Sequence, residues 1–218
     1  MNQNNQIAIV VGSTGLVGKE LVSQLCDASH INKIRSITRR PINSPHPKIE
    51  NHVIDFAELE ASPALFEGDL LFSCLGTTKK TAGSIKAQRV IDLDYQLTCA
   101  KLAKQQGVKH YLLVSASGAK AHSLFAYPKM KGQLEDAVKE LNFQQTTILQ
   151  PSLLLGERKE YRTGEEFAGK VLPTLTRIPA LKKMRPIPGA EVAKRLVLES
   201  ATSKPGLSVF NLDEIFVD

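Results

Sequence analysis

Short apolar runs alternate along this chain with longer stretches whose apolar positions recur at helical spacing. The first run, Ile7-Ala8-Ile9-Val10-Val11, is rich in β-branched residues, the pattern of a strand buried on both faces of a parallel sheet. Leu16, Val17, Leu21, Val22 and Leu25 then fall on one helical face. Further strands are predicted over residues 33–38, 49–55, 69–75, 108–115, 144–150 and 207–212. Helices are predicted over 56–66, 87–106, 128–141, 164–172 and 190–200, with Asp55 as the N-cap of the first of these and Gly107 closing the second. Residues 41–47, rich in Pro and Asn, read as a loop, 79–84 as a mobile loop over one sheet edge, and 173–188 as a Pro-rich connection.

This alternation predicts an α/β fold, a doubly wound parallel sheet of the Rossmann type with right-handed crossovers. The 218 residues suit one domain, with residues from about 152 to 218 forming a small substrate-side lobe of it. No linker, internal repeat or low-complexity tract interrupts the pattern.

Composition narrows the function. No apolar run approaches the roughly 20 residues needed to span a membrane, and the first six residues lack a signal-peptide core, so the expected location is cytoplasmic. Cys26, Cys74 and Cys99 are widely spaced, and the expectation is reduced, buried thiols. The five histidines show no metal-ligand spacing, and no metal is expected. A net charge of +6 is spread in small groups without a nucleic-acid-binding signature, which suits an anionic cofactor better than a nucleic acid.

The chemistry begins at Gly12-Ser13-Thr14-Gly15-Leu16-Val17-Gly18, set between the first strand and the first helix. Gly12 suits the tight turn, Gly15 the close approach of a phosphate, and Gly18 the packing of helix on sheet. Unpaired N–H groups at the helix start would face a pyrophosphate. At the end of the second strand, where an acidic residue would hold a ribose 2′-hydroxyl, stand Arg39 and Arg40; two guanidinium groups there suit a 2′-phosphate, hence NADP(H) over NAD(H). Gly76 of Leu75-Gly76-Thr77-Thr78 allows a ligand close to the tip of the fourth strand.

Tyr127 and Lys131 are four residues apart, so on a helix they share a face, and an ammonium beside a phenol favours the phenolate that proton transfer requires. Ser115 and Ser117 end the fifth strand; either can orient a substrate carbonyl, and counting from the strand end points to Ser117, with Ser115 satisfying the turn backbone. Pro128 favours a helix starting at itself and leaves Tyr127 as a cap residue.

The glycine spacing and the Ser-Tyr-Lys set resemble the atypical short-chain dehydrogenase/reductases, and most of all their small Tat-interacting oxidoreductase-like members. The resemblance spans nearly the whole chain. Besides the glycine loop it is carried by residues 75–78, Arg89-Val90-Ile91-Asp92-Leu93-Asp94-Tyr95, Lys101-Leu102-Ala103-Lys104, Gly107-Val108-Lys109-His110-Tyr111, Lys131-Gly132 and residues 150–156. It implies a catalytic set of Ser117, Tyr127 and Lys131, with Asp55 and Phe56 near the adenine. It further implies that Ser115, Tyr127 and Lys131 reach the cofactor and that Pro151, Ser152, Leu153 and Leu154 lie beside the nicotinamide. Asp92 stands where many larger relatives carry an asparagine. The expected activity is NADP(H)-dependent hydride transfer to or from a small carbonyl or alcohol substrate. The alternative is an NADP(H)-binding regulator without turnover; a nucleotide-sugar epimerase fits less well, because the C-terminal lobe is short.

Overall fold

The computed structural model describes residues 5–42, 45–155 and 184–217. Seven parallel strands form its sheet in the order β3-β2-β1-β4-β5-β6-β9. They are β1 (Gln6–Val11), β2 (Ile31–Thr38), β3 (Ile49–Val53), β4 (Leu70–Ser73), β5 (His110–Val114), β6 (Gln145–Gln150) and β9 (Gly206–Asn211). Two further short strands, β7 (Leu154–Leu155) and β8 (Ile187–Pro188), pair with each other.

Residues alternate between the two faces of each strand, and both faces of the inner strands β1, β4, β5 and β6 are buried, while the edge strands β3 and β9 are half-buried to exposed. Ile9 and Val11 of β1, Leu71 of β4, and Tyr111 and Leu113 of β5 enter one core, covered by α4 (Tyr95–Gln105) and α5 (Ala126–Glu140). Ala8 and Val10, Leu70 and Phe72, and Leu112 and Val114 enter the other, covered by α1 (Leu16–Asp27) and α6 (Gly189–Ser200). The last segments of the chain thus belong to the main sheet and its helical layer. Arg195 of α6 fastens the segment after β9, donating to the carbonyls of Glu214 (2.8 Å), Ile215 (3.2 Å) and Phe216 (3.0 Å).

The strand order reverses at β1, whose neighbours β2 and β4 are reached by crossovers on opposite sides; in such sheets this is where a crevice opens at the carboxyl ends of the strands.

Three predicted elements differ. Residues 56–66 are two 3-10 turns, Phe56–Ala61 and Pro63–Phe66, because Pro63 lacks the N–H that would carry a helix through. Residues 79–84 are not a bare loop. Lys79–Ala82 makes one helical turn (α2), with Thr78 accepting from the Thr81 N–H, and Ser84 caps α3 (Ile85–Arg89) by accepting from the Ala87 N–H. The predicted helix over 87–106 contains a wider π turn, Val90–Asp94, between α3 and α4. The helix predicted at 164–172 lies outside the described residues, as does most of the Pro-rich stretch.

Candidate nucleotide and active site

A cleft of about 510 Å³ opens at that reversal, lined by Gly12, Thr14, Gly15, Arg39, Arg40, Phe56, Leu75, Gly76 and Thr77 among others. The glycine loop is shaped by necessity. Gly12 takes a φ of +84°, and a Cβ there would lie 2.6 Å from the Cys74 carbonyl. A Cβ on Gly18 would lie 2.1 Å from the Gly12 oxygen, so α1 can start this close to the sheet only at glycine. Gly15 is the N-cap of α1, with no side-chain cap and no acidic residue in the first turn, which leaves the leading N–H groups for an anion. The buried Ser13 hydroxyl accepts from Ser36 at 2.5 Å, which ties the loop to β2. Val17 and Gly18 are buried, and Leu16 is half-buried against Gly189.

Arg39 and Arg40 are exposed at the tip of β2. Sequence reasoning missed what braces them: Thr38 Oγ1 donates to the Arg40 carbonyl at 2.8 Å and accepts from Asn51 Nδ2 at 2.8 Å. Phe56 meets Tyr95 edge-to-face at 5.7 Å, and with Ile37 and Ile91 they give the cleft an apolar wall. The spacing of Ile91 and Tyr95, one helical turn, was the available signal. Asp55 caps the first 3-10 turn as expected, accepting from the Ala57 N–H at 3.0 Å. Cys74 also reaches the cleft, but burial pushes its thiol up to about 12, against the smaller opposing effect of Lys131.

The loop after β4 is held by Asp92. This fully buried residue sits in the π turn, and its carboxylate accepts from the Thr77 N–H at 3.2 Å. Gln96 donates to the Asp92 carbonyl (2.9 Å) and accepts from Ser73 (2.8 Å), while Gln88 donates to the Thr77 carbonyl (3.2 Å).

Further along the same edge, the tips of β5 and β6 carry the remaining residues. Lys131 is 1% exposed and its ammonium donates to the Val114 carbonyl at 3.2 Å. Tyr127 is half-buried and is not a cap: Phe125 caps α5, so Ala126 and Tyr127 lie in the first turn. Pro128 is tolerated as the third residue because N–H groups there have no intrahelical acceptor to lose. Tyr127 and Lys131 therefore share a helical face. Half-buried Ser117 donates its N–H to the Pro151 carbonyl at 2.9 Å. Its loop lies flat on α5 at Gly132, where a Cβ would come within 2.2 Å of Ala121 N, and Lys120 N–H donates to the Pro128 carbonyl at 3.0 Å. Ser115 does not satisfy the turn with its hydroxyl as expected. That hydroxyl is buried and donates to Glu135, a partner twenty residues away that sequence reasoning missed. Pro151 is buried; Ser152 Oγ donates to the Arg185 carbonyl at 2.5 Å, and the Leu153 carbonyl accepts from Ile187 at 2.9 Å. Leu154 lies in β7.

A family of NAD(P)H-binding proteins matches residues 12–178. The chain belongs to that family. It is 36% identical to protein HTATIP2 of Rattus norvegicus over 175 residues, 78% of this chain and 72% of the relative. It is 38% identical to FMP52 of Coccidioides immitis (74% of this chain, 71% of the relative) and 38% identical to FMP52-1 of Scheffersomyces stipitis (86% and 84%). These relatives bear out the resemblance to the Tat-interacting oxidoreductase-like proteins. They also correct the expected cytoplasmic location, since both FMP52 proteins are named mitochondrial. In fold the chain is similar to MoeE5 in complex with UDP-glucuronic acid and NAD (TM-score 0.72, 14% identity, 94% of this chain and 75% of that one). It is likewise similar to the Bordetella bronchiseptica enzyme WbmF in complex with NAD+ (TM-score 0.70, 20% identity, 97% and 74%).

Proposed function

We propose that this NAD(P)H-binding protein is an NADP(H)-dependent oxidoreductase acting on a small carbonyl or alcohol substrate. The observation that carries the reading is the buried Lys131 ammonium on one helical face with Tyr127, at the tip of the strand that leads to Ser117. The glycine cradle, the uncapped start of α1 and the open side of Gly76 fit a dinucleotide, with Arg39 and Arg40 on its 2′-phosphate.

When bound, the nicotinamide supplies the hydride that converts a carbonyl carbon to an alcohol, or accepts it in reverse. The chain's own residues handle the proton and the geometry. The Tyr127 hydroxyl gives its proton to the carbonyl oxygen as that oxygen gains charge. The Ser117 hydroxyl donates to the same oxygen and orients it. Lys131 would stand near the charge left on the Tyr127 oxygen and would hold the nicotinamide ribose. Residues 151–154 would line the nicotinamide side of the cleft and limit the face open to substrate. Incubation with NADPH and a panel of aldehydes, ketones and quinones, followed by NADPH absorbance, tests the proposal. Turnover of one of them is expected. Tight NADPH binding with no turnover of any of them would reassign the protein as a regulator.

A further inference from the structure

Glu135 lies one helical turn beyond Lys131 on α5 and two beyond Tyr127, so the three side chains share a face. It is 5% exposed. Its carboxylate engages two neighbouring strand tips at once: Ser115 Oγ donates to Oε1, and Gln150 Nε2 donates to both oxygens at 3.0 Å. The Lys139 ammonium stands 4.0 Å from Oε2. Ser115 directly follows β5 and Gln150 ends β6. From these two residues the backbone runs on to Ser117 and Pro151, which are themselves joined by the Ser117 N–H bond at 2.9 Å. A carboxylate is costly to bury, and here its donors come from the two tips that hold the substrate and nicotinamide side of the site.

We infer that Glu135 is a positioning residue. It clamps the tips of β5 and β6 together and so sets the spacing between the Ser117 hydroxyl and the Pro151–Leu153 backbone. Its functional half rests on the oxidoreductase reading; its structural half rests on hydrogen bonding alone. Oε1 alone accepts from both Ser115 and Gln150, so a carboxamide whose oxygen takes that place can stand in for the acid.

Hydrogen–deuterium exchange on the unliganded protein, combined with NADPH fluorescence, separates the two halves. In Glu135→Leu both donors lose their acceptor, and the Ser115 and Ser117 amides exchange roughly tenfold faster while those of β1 and α1 keep their protection. Glu135→Gln restores the slow exchange. Ser115→Ala cuts one arm of the clamp, moves the same amides part of the way, and decides the question if Glu135→Leu does not fold. With NADPH bound, the leucine variant shows altered nicotinamide emission, while affinity for adenosine 2′,5′-bisphosphate, which fills the other half of the site, is unchanged. Unaltered exchange overturns the clamp. Faster exchange with wild-type nicotinamide emission overturns the positioning role. Failure of the unmodified protein to bind NADPH overturns the oxidoreductase reading instead, and the exchange result still decides the clamp.

Discussion

The Lys131 ammonium, buried at 1% exposure, donates at 3.2 Å to the carbonyl of Val114, the last residue of β5. That bond joins the helix bearing Tyr127 to the strand leading to Ser117. Taking an ammonium out of water costs more than burying an apolar side chain of similar length. Lys131→Met should therefore leave the melting temperature unchanged or raised, because burying a thioether is cheaper than burying a charge. NADPH affinity should fall roughly tenfold through loss of a charge-assisted bond to the ribose. Thermal melts and calorimetric titration check the two halves. A lower melting temperature with unchanged affinity would make Lys131 a structural residue.

Under the proposed function, cofactor choice would rest on Arg39 and Arg40, which are exposed at the lip of the cleft. Charge-assisted bonds to a phosphate contribute about 1.5–3 kcal/mol, so NADPH should bind tens-fold tighter than NADH at low salt. Replacing both arginines with alanine should remove most of the difference. Equal affinities for the two cofactors in the unmodified protein would refute the assignment.

Under the proposed function, a substitution at Gly15 would separate cofactor binding from folding. A Cβ there would press on the Gly12 oxygen at 3.2 Å, a contact that a shift of a few tenths of an ångström relieves, and the residue is exposed. Gly15→Val should fold with a melting temperature near that of the parent protein and lose NADPH binding. Gly18→Val, whose Cβ would collide with Gly12, should fail to fold. Full affinity in Gly15→Val would place the pyrophosphate elsewhere.

Much of this was legible in the sequence. β1, β4 and β5 are short apolar runs that the chain can bury only between two helical layers, and glycines were readable as turns because their neighbours were strand and helix. What escaped depends on distant partners. The π turn at Asp92 accommodates a carboxylate facing the Thr77 N–H, fifteen residues away in sequence. Glu135 reads as an ordinary helix-surface acid until the fold sets Ser115 and Gln150 beside it. Tyr127 was read as a cap because the preference of a pre-proline residue is local, and the α5 start at Phe125 overrides it. The helix over 56–66 breaks at a local signal, Pro63, which opens a separate 3-10 turn.

His110 gives the fold a pH dependence away from the site. Burial lowers its ring to about 4 from an ordinary 6.5, and Nε2 pairs with Thr147 Oγ1 at 2.9 Å. The unfolded ring takes a proton below about pH 6.5 while the folded ring resists until about pH 4. The stability it contributes is therefore complete above 6.5 and is lost as pH falls through that window. The difference amounts to about 3 kcal/mol at pH 4. Urea unfolding of the parent protein and His110→Gln at pH 8 and pH 4 should show a smaller acid loss in the variant. Equal losses would show that His110 is not the titrating group.

The rate of NADPH oxidation by Tyr127→Phe, with the best carbonyl substrate found in the panel, decides whether Tyr127 is the proton donor. If Tyr127 delivers the proton, kcat should fall roughly 10²–10⁴-fold while NADPH affinity stays close to that of the parent protein, because no part of the glycine cradle is touched. Turnover at the parent rate in Tyr127→Phe would exclude Tyr127 as the proton donor.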